Sequence, residues 1–307
     1  MRLSRLLLPL FAMAFAAQAA AAPNVVTSIK PIDDLVRAVM DGVGEPVRLI
    51  PPGSSPHTYA LKPSERLAAE TADVLFWIGP EVETSLVKVS KSLRPSARII
   101  TLTEMPDIDL LPARKGGDWE RKPRGDAHGH AHASSLDGHL WLSPANASMI
   151  VRAANATLSA ADPANAERYA ANAEKTIRRL AALNAELRDK LAPVQDKPFI
   201  VFHDAYQYFE HSYGLHAVGS ILVNPEAMAG AKRVSEMRAK IKALGATCVF
   251  SEPQFEPKLV QTLIEGANAR AGVLDPLGAN LPSGLEGYES LLRNLSENLG
   301  GCLAATP

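Results

Sequence analysis

Short apolar runs alternate along the chain with longer stretches in which apolar residues recur every three or four positions. NVVTSI (24–29), VRLI (47–50), DVLFWI (73–78) and ARIITL (97–102) predict four strands in the first half. PFIVF (198–202), GLHAV (214–218), ATCVFS (246–251) and AGVLD (271–275) predict four more in the second. Helical patterns lie between them, among them PIDDLVRAVMDGV (31–43) and AKRVSEMRAKIKALG (231–245), the latter ending on Gly245, a good C-cap residue. Strands alternating with helices argue for α/β layering.

Between the halves, residues 162–194 predict one long helix. Asp162 suits its cap, Pro163 its first turn, and Pro193 ends it. Tyr169, Ala173, Ile177, Leu180, Leu187 and Leu191 draw a single apolar stripe. About 29 residues give a rod of roughly 44 Å, a stiff connection between two α/β halves. The heptad is not clean, which disfavours a dimerising coiled coil. The expected fold class is therefore α/β, with two Rossmann-like halves: 23–160, the helical connection 161–194, and 195–307.

The first residues change the picture of where the chain works. Residues 1–22 have a basic start (Arg2, Arg5), a short apolar core and a small-residue stretch, the build of a secretory signal peptide. Past it, no apolar run approaches the roughly 20 residues of a membrane helix. Without Arg2 and Arg5 the net charge is about −3, so no basic excess attracts nucleic acid or an anionic membrane surface. The chain has two cysteines, Cys248 and Cys302. In an oxidising compartment such a pair most simply forms one disulfide, two buried free thiols being the alternative.

The eight histidines sort into groups. His128, His130 and His132 sit at every second residue in 113–135, a Gly-, charge- and His-rich segment with little to bury, which reads as an exposed mobile loop. His57 lies in a Pro/Gly/Ser turn after VRLI, His139 just before a helix that Ser143 caps and Pro144 starts, and His203 directly after PFIVF. Ligands of open α/β sheets bind beyond the carboxyl ends of strands, so His57 and His203 are suitably placed, as is Asp275 at the end of AGVLD. Three imidazoles and a carboxylate suit tetrahedral zinc, and nitrogen donors favour zinc over manganese or calcium. His211 and His216 read as structural.

The motifs SPHTYALKPSE, DVLFWIGPEVE, GHLWLSP, FHDAYQYF, FSEPQF and LDPLG occur in that order. With them the chain resembles the periplasmic metal-binding, cluster A-I solute-binding subunits of ABC importers, in the high-affinity zinc-uptake branch. The resemblance spans nearly all the mature chain. It implies two lobes joined by one long helix, the metal lying in the interlobe cleft. It implies His57 and His139 as ligands from the first lobe, His203 and Asp275 from the second, and a Cys248–Cys302 disulfide. Manganese-binding relatives carry glutamate where this chain has His203. Some zinc members place a carboxylate immediately before the first histidine, where this chain has Pro56; that departure puts weight on Asp275, or leaves the fourth place to water. A DPH motif of the family reads Asp137-Gly138-His139 here.

The expectation is a monomeric periplasmic protein that captures Zn²⁺ and delivers it to a membrane permease, with the loop histidines as a weak auxiliary site. Two alternatives share the ligands: a periplasmic zinc chaperone, and a secreted zinc hydrolase. The hydrolase would need a general base, for which Glu252 is the one candidate, and an open metal position. No HExxH or GxSxG motif occurs.

Overall fold

A computed structural model describes residues 22–114, 119, 136–222, 230–244, 248–255, 258–266 and 269–304. Residues 1–21, the histidines 128, 130 and 132, and Gly245 lie outside the described residues.

All eight expected strands form. In the first lobe β1 (Val25–Thr27), β2 (Val47–Arg48), β3 (Val74–Trp77) and β4 (Arg98–Thr101) make a parallel sheet of order β2-β1-β3-β4. In the second, β5 (Phe199–Val201), β6 (Ala217–Ser220), β7 (Cys248–Ser251) and β8 (Arg270–Val273) repeat the pattern as β6-β5-β7-β8. The central strands VLFW, FIV and CVFS are buried along their whole length, as strands covered on both faces must be. β6 begins later than GLHAV suggests. Gly214, at φ 67°, caps the preceding helix in the left-handed region, and the strand starts only at Ala217.

Helices α1 (Lys30–Val39), α2 (Pro63–Glu70), α3 (Leu86–Ser90) and α4 (Pro144–Ala161) belong to the first lobe. α4 begins as its sequence implies, with Ser143 Oγ accepting from the Asn146 backbone N–H at 3.3 Å. The connecting helix α5 is shorter than expected, Ala166–Leu191. Asp162 does not cap it: its carboxylate accepts from Asn165 Nδ2 and Tyr169 Oη, while Pro163–Asn165 forms a separate 3₁₀ turn. The 26 residues span about 39 Å. The buried stripe is Tyr169, Ala173, Thr176, Leu180, Leu183, Leu187 and Leu191; Ile177 packs at its margin.

The second lobe adds α6 (Gln207–Tyr213), α7 (Ala231–Leu244), α8 (Lys258–Ile264) and α9 (Leu285–Ala304). α9 packs against α1 and α5. One hydrophobic core therefore runs from Val26 and Leu75 in the first lobe through Leu183 to Phe250 and Leu292 in the second. Cys248 and Cys302 are bonded, with S–S 2.06 Å, tying β7 to the last turn of α9. Among the described residues no helix is long and apolar enough to cross a membrane.

Polar contacts stitch the lobes together. Lys30 Nζ donates to Asp34 Oδ2 and to the Pro282 carbonyl, each at 2.6 Å, and the Gly284 N–H donates to Asp34 Oδ1 at 2.8 Å. Trp141 Nε1 donates to the Pro276 carbonyl at 2.8 Å, and Tyr288 Oη to the Trp141 carbonyl at 2.6 Å. Separating the lobes would strand these buried partners, which makes wide hinge opening costly.

Candidate metal centre

His57 reaches the cleft from the turn between β2 and α2, His139 from the start of the 3₁₀ turn Leu140–Leu142, and His203 from the end of β5. Their ligating atoms all lie within 4.8 Å of one another. His139 Nε2 stands 3.3 Å from His57 Nε2 and 3.3 Å from His203 Nε2. Tetrahedral zinc with Zn–N bonds of roughly 2.0–2.1 Å sets its donors roughly 3.3 Å apart, so the two separations match one shared ion. His139 and His203 are buried, at 7% and 5% exposure, and His57 is half-buried.

Two carboxylates orient the buried rings. Nδ1 of His139 lies 2.8 Å from Asp137 Oδ1, which also accepts the His139 backbone N–H at 3.0 Å. Nδ1 of His203 lies 2.8 Å from Glu252 Oε1. β5 and β7 are neighbours in the sheet, so residues just past their carboxyl ends meet. With Nδ1–H donated to a carboxylate, a ring turns a bare Nε2 lone pair into the cluster, and each carboxylate, once ionised, offsets a divalent cation there. Gly138 is needed between Asp137 and His139: a Cβ there would come 2.4 Å from Val82 Cγ2.

The protonation pattern follows. Burial, with His139 and His203 nearby, lowers His57 to about 2. Burial, with His203 nearby, takes His139 well below its ordinary value. At His203 burial also pulls down, but the charge and hydrogen bond of Glu252, with Asp204 and Asp137 behind it, outweigh it and raise the pKa. Burial raises Asp137 to about 7 against the hydrogen bond from the His139 backbone and the charges of Arg114 and His203.

The aromatic wall is Trp141, whose ring centroid is 5.2 Å from that of His139, and Phe255, 5.9 Å from His203. The space these groups enclose is about 10 Å³. That is room for a single ion or water molecule.

Asp275 does not join the cluster. Its Oδ1 accepts from Gln254 Nε2 at 2.8 Å and the Leu277 N–H at 3.0 Å, and its Oδ2 from the Ala279 N–H at 2.8 Å. The turn after β8 folds over the carboxylate and uses it as an internal cap. Glu252, the general-base candidate, faces the Nδ1 of His203 with its Oε1 and orients that ring. His211 is exposed and His216 half-buried, both away from the three rings.

The segment 113–135 is not wholly exposed. Trp119 is 8% exposed, and Arg114 is ion-paired to Asp204 and Glu210 of the second lobe. Three groups with roles at the site were absent from the sequence-based ligand set: Asp137, Glu252 and Arg114. The first two carried a signal, an acid two residues before His139 and an acid at a strand end beside the His203 strand.

Residues 25–302 match the family model described as zinc-uptake complex component A, periplasmic. The chain is 43% identical over 306 residues to the high-affinity zinc uptake system protein ZnuA of Brucella suis biovar 1 (strain 1330), covering 92% of each. It is also similar to a solved structure described as a crystal structure of ZnuA, at TM-score 0.77 and 26% identity, covering 92% of this chain and 99% of that one. A ZnuA deletion mutant with zinc bound is similar at TM-score 0.74 and 25% identity, covering 93% and 100%.

Proposed function

The chain belongs to the family of periplasmic zinc-uptake complex component A, and from that premise we propose that it captures Zn²⁺ in the periplasm through His57, His139 and His203 and hands it to the membrane permease of an ABC importer. The family is the solute-binding part of a transporter, not an enzyme. The single observation that carries the ligand assignment is the pair of 3.3 Å Nε2–Nε2 separations centred on His139. Three neutral imidazoles supply three donors and water the fourth, since the oxygens of Asp275 are engaged in its own turn. An all-nitrogen protein set favours zinc over manganese.

Ligands from both lobes make the ion a clamp between them. The buried contacts at Lys30, Asp34, Trp141 and Tyr288 support a small change of lobe angle between free and loaded forms. Residues 1–22 act as the export signal, and the mature chain works as a monomer. His128, His130 and His132 form a separate, weaker zinc-gathering tract.

The test is metal content after native purification, followed by titration of Zn²⁺ and Mn²⁺ into parent and His203→Ala protein. The parent should hold one tight zinc and prefer it to manganese. The variant should lose more than the roughly 10–100-fold that removal of an orienting partner costs. Unchanged zinc affinity in the variant would remove His203 from the ligand set.

A further inference from the structure

Arg114 leaves the first lobe two residues after the Pro112–Leu136 bridge and inserts its guanidinium among second-lobe acids. Its Nε is 3.0 Å from both carboxylate oxygens of Asp204, and its Nη2 also contacts Asp204 Oδ1. Nη1 is 3.1 Å from Glu210 Oε2, and Nη2 is 2.8 Å from Glu210 Oε1. Glu210 is steadied from behind by the Ala217 N–H at 2.9 Å. Trp119 covers the guanidinium, 3.8 Å from carbon to ring centroid, and donates its own backbone N–H to the Val218 carbonyl at 3.1 Å. Burial works against the cation, but Glu210 and Asp204 outweigh it and raise its pKa, so the charge is permanent.

Both ends of this short segment reach the ligands. Asp204 directly follows His203. At the other end the Asp137 N–H donates to the Leu111 carbonyl at 2.9 Å, and Asp137 orients His139. Tyr208 Oη links the same pieces, accepting from the Leu111 N–H at 2.9 Å and donating to the Asp137 carbonyl at 2.7 Å. Residues 111–114 thus bridge the neighbour of His203 to the residue that positions His139.

Resting on the zinc-site reading above, we propose that Arg114 is a positioning residue for release: a cross-lobe latch that holds His203 against His139 and whose opening sets the rate at which zinc leaves. Breaking a buried, hydrogen-bonded charge pair acts chiefly on the off-rate. The latch makes no bond to the metal, so its loss changes the rate without changing the coordination sphere.

The full chain, loaded with Co²⁺ as a spectroscopic probe or with Zn²⁺, is mixed with excess EDTA in a stopped-flow instrument. Arg114→Met should keep the tetrahedral cobalt bands of the parent and release zinc about 10–100-fold faster. Arg114→Lys and Glu210→Gln, each keeping part of the contact, should fall between. Should Arg114→Met fail to fold, Glu210→Gln alone decides, faster release supporting the latch and a parental rate refuting it. A lowered unfolding midpoint with parental release in every folded variant overturns the proposal. A parent with no tetrahedral cobalt spectrum instead overturns the zinc-site reading, and the latch with it.

Discussion

Nδ1 of His203 and Oε1 of Glu252 lie 2.8 Å apart just past the carboxyl ends of two neighbouring strands of one sheet, committing the ring's other nitrogen to the cluster. Glu252→Ala should weaken zinc binding about 10–100-fold by freeing the ring and removing a balancing charge. Glu252→Gln, which still offers a carbonyl oxygen, should lose less. Competition with a chromogenic chelator measures both. Parental affinity in the alanine variant would contradict the orienting role.

The three rings should not titrate alike. In the metal-free protein His203 keeps a proton above its ordinary 6.5, held by Glu252 against burial, whereas burial leaves His57 and His139 neutral well below that pH. The protonated pair stabilises the metal-free fold below pH 6.5, and that stability is lost as pH rises through the raised pKa. Zinc must displace this proton and also the one Asp137 takes up near pH 7, so affinity should begin to fall above pH 6.5 on acidification, by about one to two decades per pH unit. Dissociation constants measured from pH 8 to 5.5 check this. A slope near three decades, or none, would contradict it.

His57 is half-buried on a turn, unlike its two partners. His57→Ala should therefore change the stability of the metal-free protein by only about 1 kcal/mol, as an ordinary point substitution does, while zinc affinity falls sharply. Parallel urea unfolding and zinc titration separate the two. A large loss of stability without zinc would make the ring structural.

The disulfide closes a separation of 54 residues, from the buried β7 to the end of α9. Chain-entropy arguments give it about 4 kcal/mol. The Cys248→Ser, Cys302→Ser double variant should lose about that much in denaturant unfolding and still bind one zinc, because neither sulfur is in the cluster. Loss of zinc binding in a folded double variant would show coupling between them.

Most of the fold was legible because parallel strands are short, continuous apolar runs. All eight gave themselves away, down to the capped start of α4 at Ser143. The start of β6 was missed because Gly214 in GLHAV serves the preceding helix as a left-handed cap. Asp162 looked like a helix cap, but its carboxylate is drawn to Asn165 and Tyr169. At the site, strand-end position drew attention to His57 and His203, the place before a capped helix and the resemblance added His139, and the three rings converge in the fold. Strand-end position and the family resemblance together put Asp275 in the expected ligand set, and only the three-dimensional path of 275–279 reveals the backbone hydrogen bonds to its oxygens. Arg114 was hidden by composition, since a Gly- and charge-rich segment gives no hint that one of its cations finds two acids across the cleft.

Zinc capture as proposed requires one ion shared by three rings. Anomalous diffraction at the zinc edge from crystals of the zinc-loaded protein tests it most directly. It predicts one strong peak at roughly 2.0–2.1 Å from Nε2 of His57, His139 and His203. A peak elsewhere, or one bound by Asp275 with any of those rings turned away, would contradict it.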